Sequence, residues 1–464
     1  MSRKTVLAKS RSFFKNVDIT GGPIVSSMLI YAVPLIITNV LQFLYNAVDV
    51  MVVGNFASEG AIASVGATTS IVNLITNVIM GMSVGSSILI ARSVGEKNDL
   101  ETPRIINTTF ILSISLGVAA LIIGEIFALP LLHVTDCPEN IIDGAELYIR
   151  IYMLGLPASA FYNYMASVLR SVGDSKRPLI YLTVSGLTNV TLNLILVICF
   201  GMDVAGVAIA TVASQYLSAI LLFVRLTRLE GAVRLVPKNA RIVPIYVWKI
   251  LKYGIPNSIS NLAFSFSNLQ IQTVINSYGD AAISGYTASN NLQGIFMNSI
   301  TNAFAVMCST FVGENIGAGN RKRTLKVVLY SYIISFVSVS FSIVMCTVFR
   351  SQLLSLFIPG QPEALAYGII CNNYILGFGF LLAVIVINNQ IVQAFGYTTY
   401  QMIASLVSLC VFRIVWLAFV YPQSPTFDCL MLTYPISWGL NLISVIPFVA
   451  WCLLKYSKGR NFKL

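Results

Sequence analysis

Stretches of about twenty or more residues without a single charge recur along nearly the whole of this 464-residue chain. A helix needs about 20 apolar residues to cross a bilayer, so each such stretch is a candidate span. The composition agrees with that reading. Hydrophobic residues make up 56% of the chain and charged residues only 10%, with a mean hydropathy of +0.80. A soluble globular chain carries about 25% charged residues, and this one lacks the means to wet such a surface. A soluble enzyme, a disordered regulator and a coiled coil are excluded. The expected class is an all-α polytopic membrane protein embedded in the lipid bilayer of the cell membrane.

The net charge of +11 invites a nucleic-acid reading, but the placement of the charges excludes it. All basic residues except Arg150, Arg350 and Arg413 fall in six clusters. These lie in the first 15 residues, at 92–104, 170–177, 225–252 and 321–326, and from Lys455 onward. They recur after every second apolar segment, whereas the intervening loops hold acids such as Asp136, Glu139, Asp143, Asp203, Asp280, Glu363 and Asp428. Cytoplasmic loops carry an excess of Lys and Arg, so both termini are expected in the cytoplasm and the number of spans is even.

Twelve segments are expected. In the first half they run over 19–48, 60–91, 105–124, 151–169, 178–202 and 204–224. The second half gives 253–279, 281–313, 327–349, 364–412, 414–427 and 429–454, with the long fourth run turning near Gly396 and the next helix straddling Arg413. The N-terminus is polar and basic with no short apolar core ending in small residues, which predicts an uncleaved first helix. Two six-helix bundles are expected, over 1–224 and 253–464, joined by a cytoplasmic linker at 225–252.

Residue counts remove further classes. His133 is the only histidine, which leaves no His-based metal or catalytic centre and no Ser–His or clustered-His enzyme site. Most of the eight Cys lie in apolar segments, as small packing residues do. Cys137 and Cys429 lie in expected outer loops and could be joined. No phosphate-cradling glycine motif is present, so no ATP-driven step and no cofactor is expected, and the chain is not read as an enzyme.

The two halves repeat at an offset of about 222. Residues 31–39 (YAVPLIITN) pair with 253–261 (YGIPNSISN), which aligns Pro34 with Pro256 and Asn39 with Asn261. Residues 55–67 (NFASEGAIASVGA) pair with 276–288 (NSYGDAAISGYTA), VGEKN at 94–98 with IGAGN at 316–320, and YMLGLP at 152–157 with YILGFG at 374–379. Gly173 meets Gly396 in the loop that follows. Six segments precede the same point in each half, so the repeats are parallel. Secondary transporters are often built this way, with the substrate path between halves and alternating access by rocking.

The stretch PLIITNVLQFLYNAVDVMVVGNFASEGAIASVG, the segments YNYMASVLRSVGDSKRP and NVTLNLILVICFGMDVAGVAIATVASQ, and STFVGENIGAGNRKR together resemble the multidrug and toxic compound extrusion (MATE) transporters over almost the whole chain. The resemblance implies twelve helices in two bundles and H⁺- or Na⁺-coupled export of organic, mostly cationic or amphiphilic compounds. A flippase for lipid-linked oligosaccharide precursors is the alternative. It would need several deep arginines or lysines for an anionic head, whereas only Arg413 lies deep in a segment. A monomer is expected.

Asp49 carries the sharpest chemical signal, since charge-free sequence precedes it for 30 residues and follows it for nine. A charge at membrane depth is expensive and normally faces an interior cavity. Desolvation raises a carboxylate's pKa toward neutrality, which suits H⁺, and an oxygen cage around it would suit Na⁺. Asn189 and Asn193 stand at i and i+4 on one face of the fifth segment. The resemblance places Asn163, Asn189, Asn193 and Thr211 with Asp49 in a cation site, with Asp49, Asn189, Asn193 and Thr211 as Na⁺ ligands. Many family members carry a second carboxylate where this chain has Asn193. Each amide could equally serve as an interhelical hydrogen bond.

The second half has no counterpart of Asp49. Gln270, Gln272 and Asn276 in the seventh segment, and Asn388, Asn389 and Gln390 in the tenth, are candidates for a substrate cavity or for packing. Arg413 could pair with an acid, bind an anion or snorkel, and Glu125 is expected to be solvated at the outer interface. Pro34 and Pro256 break helix hydrogen bonds at matched positions and could act as hinges.

Overall fold

The computed structural model describes residues 16–56, 60–134 and 137–459, with side chains throughout except at 46–51, 53–55, 62 and 134. Among the described residues all regular structure is helical. The first half holds α1 (Ile24–Phe56), α2 (Ala61–Gly95), α3 (Glu101–Val134), α4 (Glu139–Met153), α5 (Leu156–Ser171), α6 (Lys176–Leu194) and α7 (Asp203–Thr227). The second holds α8 (Pro244–Asn276), α9 (Asp280–Gln293), α10 (Ser299–Gly317), α11 (Arg321–Val348), α12 (Arg350–Ser355), α13 (Pro362–Ile375), α14 (Gly379–Ala394), α15 (Thr398–Ser405), α16 (Phe412–Val415) and α17 (Phe427–Ser457).

Nine of these helical stretches are long and apolar enough to span a membrane, and ten when α13 and α14, bent by 47° at their break, count as one. The pair α4–α5 and the more polar α8 bring the total to twelve, the expected architecture. The expected boundaries need correction in the fourth segment. The charge-free run covers 151–169, but the helix starts at Glu139. In α4 the charged Glu139, Asp143, Glu146 and Arg150 lie off the face on which Ala145, Tyr148, Ile149 and Met153 are buried. An amphipathic helix of that kind contains no charge-free run. Helix α8 likewise begins at Pro244, inside the stretch read as linker, and carries Lys249 and Lys252 in its first turns.

The repeat is written in the backbone as well as the sequence. The break between α4 and α5 falls at Leu154–Gly155, and that between α13 and α14 falls at 376–378. Gly173 (φ 77°) and Gly396 (φ 87°) both adopt the left-handed conformation where the next helix is about to start, a conformation that an L side chain disfavours. A π-helical turn ends the α6 span at Ile195–Cys199, and another ends the α15–α16 span at Trp416–Val420. Such turns insert one extra residue and are frequent at functional sites.

The described chain divides into two compact units, one carrying Leu29–Ser258 and the other carrying Ile24–Met28 and Ile259–Leu464. In the first, Val52, Tyr148, Val197, Val204, Val207 and Ala208 form a core among α1, α4, α6 and α7. A tight seam also joins α2 to the start of α8 within this unit. Asn257 Nδ2 donates to the Gly81 carbonyl (3.3 Å) and Ser258 Oγ to the Val78 carbonyl (2.9 Å). A methyl group on Gly81 would fall 2.6 Å from Ser258 Cα, so only glycine permits the approach. In the second unit, Ile271, Tyr286, Cys371, Ile375, Ile385, Leu409, Tyr434 and Trp438 share one core.

All eight cysteines are free thiols. Cys137 and Cys429 are therefore not joined. Cys429 does not sit in a loop but in the first turn of α17, where Thr426 caps its N–H (3.2 Å) and its carbonyl accepts from Trp416 Nε1 (3.1 Å).

Candidate functional site

The first unit brings three of the expected residues together. Asn189 on α6 is buried, and its Nδ2 donates to Thr211 Oγ1 on α7 at 3.4 Å. One turn along α6, the fully buried Asn193 donates from Nδ2 to Asn189 Oδ1 at 3.3 Å. Thr211 Oγ1 itself donates back to the Val207 carbonyl at 3.0 Å. The result is a chain of amide and hydroxyl dipoles across the α6–α7 interface, on the helix face that i, i+4 spacing predicts. As interhelical glue alone, one such bond is worth about 0.6 kcal/mol in a membrane protein.

Asn163 stands on α5, and its Nδ2 donates to the Ser159 carbonyl of its own helix (2.9 Å). Asp49 lies on α1, but its side chain is outside the described set. The turn before it is described, and it was not singled out from the sequence. Tyr45 OH donates to the Thr183 carbonyl of α6 (3.4 Å), and the Tyr45 ring lies against Gly186. A methyl group on Gly186 would fall 2.6 Å from Tyr45 Cδ2 and nearer still to the outer ring carbons. The Tyr45 ring of α1 thus fills the space that a side chain at position 186 of α6 would need. Gly186 shares its α6 face with Asn189 and Asn193, and the backbone of Asp49 follows Tyr45 by one helical turn.

The oxygens that this arrangement offers belong to neutral amides and hydroxyls. Among the described residues, no three His, Cys, Asp or Glu side chains come together. A hard cation seeks oxygen ligands, and the side-chain oxygens that this cluster offers are those of Asn189, Asn193 and Thr211.

The second-half amides disperse. Gln272 Nε2 donates to Asn276 Oδ1 on its own helix (2.9 Å), and Gln270 lies on the same helix, half-buried. Asn388 on α14 accepts from Tyr332 OH on α11, while Asn389 Oδ1 is buried with no hydrogen-bond partner. A second polar group lies between α9 and α13, where Ser289 donates to Asn372 (2.6 Å) and receives from Gln293 (3.0 Å). Unremarkable serines in an apolar chain gave no signal for it. Pro34 and Pro256 both lie inside 33-residue helices, and Thr38 Oγ1 donates to the Pro34 carbonyl (2.7 Å).

Glu125, expected to be merely solvated, has a partner: Arg150 Nη1 approaches its carboxylate at 3.4 Å, while Arg150 Nη2 pairs with Glu146 at 2.7 Å. Arg413 is completely buried in the second unit. Its Nε donates to Ser437 Oγ (3.1 Å) and its Nη1 to Asn268 Oδ1 (2.9 Å) and Ser267 Oγ (3.5 Å). The guanidinium also stands 4.5 Å from the Tyr434 ring centroid. No ion pair reaches it among the described residues.

Comparison with known proteins meets this geometry from another side. The MatE family model matches twice, over residues 34–195 and 256–419, so its two copies begin at Pro34 and Pro256. The chain is 27% identical over 97% of its length to the probable multidrug resistance protein YpnP of Bacillus subtilis, covering 99% of that protein. It is 30% identical over 72% of its length to the probable multidrug resistance protein YoeA of the same organism, covering 74% of it. A crystal structure of a MATE protein in complex with MaL6 superposes with a TM-score of 0.86 at 20% identity, covering 96% of this chain and 99% of that one. At that identity the likeness speaks for the fold.

Proposed function

This chain belongs to the multidrug and toxic compound extrusion (MATE) family, and from that premise, which makes it a multidrug efflux transporter, we propose that it is a cation-coupled antiporter whose coupling site lies in the first unit. The observation that carries the site is the polar chain Asn193–Asn189–Thr211, facing the side of α6 that α1 approaches through Tyr45 and Gly186. Register favours Asp49 as the charge completing it, since Asp49 follows Tyr45 by four residues on α1 as Asn189 follows Gly186 by three on α6.

Entry of H⁺ or Na⁺ at Asp49 neutralises a carboxylate that is costly at membrane depth. It also lets Asn189, Asn193 and Thr211 turn their oxygens to a bound cation or their N–H and O–H groups to a free carboxylate. The two occupancies therefore hold α1 differently against α6. That difference is what biases an alternating-access equilibrium, because a ligand shifts populations only by its differential affinity for the two states. Pro34 and Pro256 supply the flexible points in α1 and α8. The substrates are small organic cations and amphiphiles, and the charge clusters favour cytoplasmic termini and a cytoplasmic 225–252 linker.

The test is efflux of a fluorescent organic cation from proteoliposomes under separately imposed Na⁺ and H⁺ gradients. One of the two gradients should drive efflux uphill. Transport that neither gradient accelerates would overturn the reading.

A further inference from the structure

The second unit contains a cation that nothing in the coupling scheme uses. Arginine carries five N–H donors and does not deprotonate in proteins. Arg413 spends Nε and Nη1 on the neutral oxygens of Ser437, Asn268 and Ser267, while Nη2 is buried with no hydrogen-bond partner. Trp438 Nε1 is a second buried donor without a partner. The Trp438 ring lies 6.1 Å from the Tyr434 ring, the same ring that stands 4.5 Å from the guanidinium. Tyr434 in turn hydrogen-bonds Tyr286 OH to OH (2.8 Å). Both unsatisfied groups are donors only, so what is missing is an acceptor.

The missing acceptor is also charged. Removing one ion from water without a counter-ion costs several kcal/mol even after relaxation. Cation–π contact and hydrogen bonds to neutral oxygens soften that cost but leave the net charge in place. The acids of the second unit, Asp280, Glu314, Glu363 and Asp428, form no ion pair with Arg413. A lysine could shed its proton here, but an arginine cannot.

We propose that Arg413, with Trp438, forms an anion site in the second unit that takes one monovalent anion, a halide or a carboxylate, on the Nη2 edge of the guanidinium. One positive charge calls for one negative charge, which disfavours phosphate and sulfate. Arg413 has no surface open to solvent, so uptake is coupled to a local opening between α16 and α17. The proposal does not depend on the coupling reading, because its test imposes no gradient.

The test titrates purified full-length protein in detergent with sodium bromide or sodium benzoate in place of sodium sulfate at constant ionic strength. Thermal unfolding and tryptophan fluorescence are followed together. The expected result is a saturable rise in Tm of several degrees that Arg413→Gln abolishes and Trp438→Phe weakens several-fold in midpoint. Saturation by bromide identifies a free inorganic anion as ligand, and saturation by benzoate alone identifies the carboxylate of an organic compound. A wild-type protein with no saturable response to either anion overturns the proposal, even if Arg413→Gln fails to fold. An equal response in wild type and in a folded Arg413→Gln overturns it as well.

Discussion

Replacing Gly186 with alanine probes whether the contact between α1 and α6 serves transport or only packing. The added methyl would stand 2.6 Å from Tyr45 Cδ2. Ordinary carbon–carbon contact is about 3.5–4.0 Å, so the ring or the helix must retreat by roughly 0.9 Å at that atom and by more at the outer ring carbons. Overpacking of this kind costs about 1–3 kcal/mol, and removing a glycine from a helix interior returns about 1 kcal/mol. The net loss is then about 0–2 kcal/mol, which at about 2–4 °C per kcal/mol for a unit of this size lowers Tm by at most about 8 °C. The protein stays folded.

Transport should suffer more than stability. Metal-site ligand distances are held within about 0.2 Å, and a displacement several times larger at Tyr45 is passed to Asp49 one turn away. Gradient-driven efflux from proteoliposomes should fall about ten-fold or more, while the protein stays folded at the assay temperature. A second variant, Gly186→Ala with Tyr45→Ala, removes the ring that the methyl strikes. The pair should then show a coupling free energy of about 0.5–3 kcal/mol in a double-mutant cycle. If Gly186→Ala transports like wild type at equal expression, this apposition does not serve the coupling site.

The repeat and the charge clusters made the fold legible, because both follow from constraints that act along the whole chain. Insertion reads the loop charges, and the offset near 222 implies six segments on each side. Helix ends were less legible where amphipathicity broke the charge-free criterion, as with Glu139 to Arg150 on α4. The π-turns at Ile195–Cys199 and Trp416–Val420 have no local residue signature that a periodicity search could find. Within the site, Asn189 and Asn193 were legible from their spacing, and Thr211 from the family resemblance. Gly186 was not, since a glycine in a membrane helix reveals its use only when a ring from another helix is seen against it. The partners of Arg413 were hidden for a related reason. Ser267, Asn268 and Ser437 sit on α8 and α17, far from Arg413 in sequence.

Asp49→Asn, which keeps the volume and removes the charge, should abolish gradient-driven efflux at normal expression and Tm; normal efflux would discard Asp49 as the coupling residue. In a background free of native cysteines, Ala240→Cys and Asn140→Cys should be labelled from opposite sides of the membrane, and labelling of both from outside would refute the topology. Gly81→Ala, whose methyl would press on the Ser258 backbone 2.6 Å away, should lower Tm by more than Gly186→Ala does, because a backbone cannot rotate aside as a ring can. Asn193→Asp tests the charge count of the site. Asn193 is fully buried, and its Nδ2 donates to Asn189 Oδ1 at 3.3 Å. A carboxylate there would face an amide oxygen without an N–H between them, in a buried setting and near the charge proposed at Asp49. Desolvation and like charge both favour the protonated acid, which restores a donor toward Asn189. The new group's pKa should therefore lie above the usual carboxylate range. Below that raised pKa the variant should behave much like wild type. Above it, a second negative charge should bind Na⁺ or an organic cation more tightly, and the pH profile of efflux should move to higher pH. Because coupling between two ligands is reciprocal, Na⁺ should weaken organic-cation binding by the same factor by which the organic cation weakens Na⁺ binding. Efflux and substrate affinity measured against pH, with and without Na⁺, decide the matter. An unchanged pH profile in a folded Asn193→Asp protein would mean that this face of α6 does not meet Asp49.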